Sequence, residues 1–80
     1  VNGFEVVVRR VRGSEWVEGQ YFDMAAAYQA RAALVAKYRA VGFIGGRNAA
    51  GVYRLSARRE GVRVRLAVYV RPAQAVAYLN

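Results

Sequence analysis

The stretch VYRLSARREGVRVRLAVYV, residues 52–70, alternates apolar residues with arginine along much of its length and breaks once, at Glu60-Gly61. A period of two marks a strand with one buried and one wet face, and a two-residue break ending in glycine marks a hairpin turn. The segment therefore reads as two strands, 52–59 and 62–70. On the second, Val62, Val64, Leu66, Val68 and Val70 share one face, while Arg63, Arg65, Ala67, Tyr69 and Arg71 share the other. A two-residue turn sets the register, with Ala57 opposite Val64, Leu55 opposite Leu66 and Tyr53 opposite Val68. The same register places Arg58 opposite Arg63 and Ser56 opposite Arg65. The two apolar faces coincide, and so do the two polar ones. One side of this hairpin is built to receive a helix; the other is cationic.

The helix to cover it is MAAAYQARAALVAKYRAV, residues 24–41, rich in strong helix formers and free of Gly and Pro. Asp23 is placed to cap its first amides, and Gly42 to stop it in the left-handed region. Met24, Ala27, Tyr28, Leu34, Val35, Tyr38 and Val41 fall on one side of the wheel. Arg31 falls among them, where an unpaired buried charge is costly. It either lies at the rim with its head in water, pairs with Glu15, Glu18 or Asp23, or faces a ligand. Ala26, Ala33, Ala36 and Ala40 lie roughly opposite, an alanine stripe that either faces solvent or lets a second copy approach.

Upstream, FEVVVRRVR (4–12) reads as a strand; if Phe4, Val6 and Val8 point inward, Arg9 joins the outer face with Glu5 beside it. WVEGQYF (16–22) is a weaker strand interrupted by Gly19. GFIGGRNAAG (42–51) reads mostly as loop, with Phe43 and Ile44 either tucked under the helix end or starting a short strand. It lacks the Lys-Ser or Lys-Thr ending of a phosphate loop. Pro72 limits further central pairing, and AQAVAYLN (73–80) is a short helix or an irregular tail. The expected architecture is α+β: one domain over 1–80, an antiparallel sheet of three to four strands, one long helix on one face and a short C-terminal helix or tail.

The chain has 80 residues, thirteen Lys and Arg against five Asp and Glu, and a net charge of +8. All the basic residues but Lys37 are arginine. Codon bias in a GC-rich genome accounts for that ratio as well as function does, but it does not remove acids. A pI near 10.9 suggests an anionic partner. The chain has no Cys and no His. That removes thiol and imidazole catalysis and zinc sites built from those ligands, and it leaves Ser14 and Ser56 without an activating base. The acids show no pairing suited to glycosidase or metal chemistry. Neither enzyme activity, a cofactor nor a metal is expected. Arginine interrupts every hydrophobic run and no leader is evident, so a soluble, cytoplasmic protein is expected.

A half-covered sheet needs a polar outer face, but a face kept merely soluble would mix signs. Opposed like charges such as Arg58 and Arg63 cost some tenths of a kcal/mol, and Glu60 is the nearest acid in sequence. The expected function is nucleic-acid binding, of DNA or RNA, with Arg54, Arg58, Arg63, Arg65 and Arg71 on phosphates and Tyr69 stacking on a base. The alternative is a protein-interaction module, docking on an acidic partner or forming a homodimer through the alanine stripe. Trp16 and Tyr21 read as core residues rather than a ligand platform.

Overall fold

The computed structural model describes residues 3–73. Its strands are β1 (Phe4–Arg10), β2 (Glu15–Tyr21), β3 (Ile44–Arg47), β4 (Tyr53–Arg59) and β5 (Val62–Pro72), and its helix is α1 (Met24–Ala40). They form an antiparallel sheet in the order β2-β1-β5-β4-β3 with α1 packed across β1, β5 and β2. The α+β class holds, but the count of three to four strands is corrected to five among the described residues.

Two glycines explain the difference. Gly19 pairs with Val6 after a bulge at Glu18, which lets β2 run its full length. The Tyr21 ring folds back over the gap, its hydroxyl 2.6 Å from where a Cβ on residue 19 would stand. An aromatic ring thus shields the backbone that glycine leaves bare. Gly45 has φ +141°, and a Cβ there would lie 2.0 Å from the Arg54 carbonyl oxygen. Only glycine lets β3 approach β4 this closely. The segment read mostly as loop therefore supplies the edge strand.

The β4–β5 hairpin has the register its turn dictates: Leu55 faces Leu66, Ala57 faces Val64, Ser56 faces Arg65 and Arg58 faces Arg63. Glu60 (φ 54°) and Gly61 (φ 79°) both take positive φ, as a two-residue hairpin turn of this kind requires. The core lies between sheet and helix: Val6, Val8, Leu55, Ala57, Leu66 and Val68 meet Ala27, Val35 and Phe43. Fully burying a side chain such as Leu55 contributes about 1.5–3 kcal/mol.

Asp23 caps α1, its carboxylate accepting from the Ala26 amide at 2.7 Å. Gly42 leaves the helix at φ 105°. Phe43 both tucks under the helix end, edge-on to Tyr38 at 5.2 Å, and delivers the chain to β3. Met24, Tyr28 and Val41, expected on the inner helix face, are exposed, as is Trp16 in part. Among the described residues no helix is long and apolar enough to cross a membrane. The C-terminal helix or tail lies, from residue 74 on, outside the described residues.

Candidate nucleic-acid interface

The face of the sheet away from α1 carries every residue of the arginine stripe, in ranks set by strand pairing. Arg58 and Arg63 form the rank nearest the turn, Arg65 and Ser56 the next, and Arg54 with Ala67 the third. Same-face residues repeat about every 7 Å along a strand, and neighbouring strands lie about 4.8 Å apart. Arg54, Arg58, Arg63 and Arg65 are all exposed. Arg58 Nη1 donates to the Gly61 carbonyl at 3.2 Å. Among the described residues none of the four forms an ion pair.

Arg71 and Tyr69 have a different environment. Antiparallel pairing of β1 with both β2 and β5 sets Glu5 against Arg71, and brings Glu15 onto the same face through Arg9. Arg71 Nε donates to Glu5 at 3.0 Å and Nη1 to Glu15 at 2.7 Å, while the Tyr69 hydroxyl donates to Glu15 at 3.1 Å. Gln20 donates to the second oxygen of Glu5 at 2.9 Å. The Glu5 carboxyl is held below its ordinary value by the Gln20 amide and then by Arg71. Glu15 is lowered by Arg71 and then Tyr69, and Arg71 is raised by Glu15 and then Glu5. Burial, and then the bond to Glu15, pushes Tyr69 up. Arg71 is thus neutralised, about 20 Å along β5 from Arg65. The sequence had offered Glu60 as the nearest acid; the fold supplies two others to this one arginine.

The open face therefore has two halves: a balanced one around Glu5, Glu15, Tyr69 and Arg71, and an all-cationic one around Arg54, Arg58, Arg63 and Arg65. Between them the floor is apolar, with Val7 and Ala67 buried. Arg9, paired with Glu15 and Ala67 in register, stands at the boundary. At the β3 edge, Ile44 extends the Arg65–Ser56 rank and is 73% exposed.

Arg31 differs from two of its expectations. It is 8% exposed and so not at the rim, and among the described residues it pairs with no acid. Its Nη1 donates to the Gly51 carbonyl at 3.0 Å, and its guanidinium lies 4.6 Å from the Tyr28 ring centre and 5.1 Å from that of Tyr53. Ring faces attract a cation and so offset part of its desolvation. Its Nε has no partner among the described residues. The alternation of β4 assigned Tyr53 to the inner face; that it meets Arg31 there required the helix to be docked.

Sequence reasoning passed over one further feature. A shallow hollow of about 160 Å³ opens on the cationic half, lined by Val11, Arg54, Leu55, Ser56, Arg65 and Leu66. The hairpin register foretold Ser56 beside Arg65; Val11 joins them only because β1 pairs with β5. No family model matches this chain, and neither a curated protein nor a solved structure matches it.

Proposed function

We propose that this chain binds nucleic acid, contacting backbone phosphates with Arg54, Arg58, Arg63 and Arg65. One observation carries the reading: four exposed guanidinium groups stand in adjacent ranks of one sheet face, with no carboxylate paired to any of them among the described residues. Holding like charges together costs stability, and a bound polyanion relieves that cost. The planar fork of arginine matches phosphate oxygens two at a time. Tyr69 and Arg71, bonded to Glu15 and Glu5, take a smaller part than the four free arginines. Recognition through phosphates gives affinity with little sequence preference.

Fluorescence anisotropy with labelled single-stranded DNA, RNA and duplex at low salt tests this. Binding is expected, and the double reversal Arg63→Glu with Arg65→Glu is expected to abolish it while the circular dichroism of the fold is retained. Absence of binding to all three probes by the unaltered chain would refute the reading. A second reading, self-association through the helix, draws support from the exposure of Ala33, Ala36 and Ala40 with only Lys37 charged among them. Light scattering distinguishes a dimer from a monomer.

A further inference from the structure

Within the cationic half, Arg54 and Arg65 differ from Arg58 and Arg63 in what lies between them. Ser56 is a small residue directly across from Arg65 and two positions along from Arg54, so the surface dips there. The last paired residue of β1 is Arg10, opposite Leu66, and the Val11 amide still donates to the Arg65 carbonyl at 3.1 Å as the chain turns away. Val11 thereby walls the hollow on the β1 side, and Ile44, paired with Ser56, borders the same rank on the β3 side. Across the sheet the rank reads apolar, guanidinium, hydroxyl, apolar. Both ledges are open, Val11 at 41% and Ile44 at 73% exposure. Arg58 and Arg63, by contrast, stand beside the exposed turn, and Arg58 already spends one donor on Gly61.

We propose that this hollow is the seat for one backbone phosphate: Arg54 and Arg65 donate to its oxygens from two sides, and the Ser56 hydroxyl donates from between them. Val11 and Ile44 give the adjoining sugars or bases an apolar surface. Arg58 and Arg63 meet flanking phosphates as exposed, solvent-screened pairs. This rests on the reading of the face as a nucleic-acid interface and adds to it an unequal division of labour among the four arginines.

The probe is a short labelled oligothymidylate titrated against single variants. Removing a charge-assisted hydrogen bond at the seat is expected to weaken binding about tenfold or more, for Arg54→Met and Arg65→Met alike. Arg58→Met and Arg63→Met are expected to cost about two- to threefold, as exposed, screened ion pairs do. Ser56→Val fills the hollow at unchanged charge and is expected to weaken binding about tenfold. Ser56→Ala, which adds no bulk and keeps the fold, is expected to cost about threefold. Inorganic phosphate is expected to displace the oligonucleotide only in large molar excess.

Equal losses from all four arginine variants, together with no effect of either serine variant, would overturn the seat while leaving the interface intact. Displacement by equimolar phosphate would likewise overturn its assignment to a polymer. Failure of the unaltered chain to bind the oligonucleotide, RNA or duplex would instead remove the reading on which the seat rests.

Discussion

Raising the salt concentration is the perturbation whose effect the structure sizes most directly. Each phosphate neutralised on a single strand releases condensed counterion, so log affinity falls with log salt by about 0.7 per contact. With Arg54 and Arg65 sharing one phosphate and Arg58 and Arg63 each on another, three contacts give a slope of about −2.1, and affinity falls about 18-fold between 50 and 200 mM monovalent salt. If the carboxylates released Arg71 and Arg9 joined it, five contacts would give a slope of about −3.5 and a loss of about 130-fold. The slope therefore counts the phosphates that arginine reaches and reports whether the Glu5–Arg71–Glu15 network opens. Anisotropy titrations with labelled oligothymidylate at three or four salt concentrations measure it. Arg63→Met is expected to reduce the slope by about 0.7, and Arg71→Met to leave it nearly unchanged. A slope near zero would refute the phosphate interface. A loss of slope in Arg71→Met equal to that in Arg63→Met would refute the division of the face into a paired and an unpaired half.

The same ion-pair network makes stability depend on pH. Glu5 and Glu15 titrate below the ordinary 4.5 in the folded chain, so their contribution is fully present above 4.5 and is lost as pH falls through the lower folded values. Thermal melts from about pH 7 down to about pH 3 should show that fall, and Arg71→Met should flatten it; an equally steep fall in the variant would remove the network as its cause. Arg31→Met exchanges a buried cation lacking an acid for an apolar chain of similar length. Desolvation relief and the lost ring and carbonyl contacts should nearly cancel, leaving stability within about 1 kcal/mol or raised. A denaturant melt showing a loss above about 3 kcal/mol would mean that the guanidinium holds the Gly51 segment to the helix more strongly than that balance allows.

Much of the fold was legible because it rests on short-range regularities. Alternation assigned the two faces of β4 and β5, the Glu60-Gly61 turn set their register, and Asp23 and Gly42 bounded α1 to within a residue. The β3 edge was less legible. Paired glycines ordinarily signal loop, and the close approach that makes Gly45 a strand residue depends on the Arg54 carbonyl beside it. Half of the candidate site could be read as well, since Arg54, Arg58, Arg63 and Arg65 share a face by periodicity alone.

The sequence by itself determined which side chains share a face of the hairpin and where the helix begins and ends, because spacing and turn geometry act between near neighbours. Only the tertiary structure decided which charges remain free. Arg71 lies 66 residues from Glu5 and 56 from Glu15, and no local pattern links them until β1 pairs with β5. The wall that Val11 gives the hollow waits on that pairing, and the contact of Arg31 with the Tyr53 ring waits on the helix docking against the sheet. Backbone pairing across the sheet, rather than any motif along the chain, divides one arginine stripe into a neutralised part and an open one.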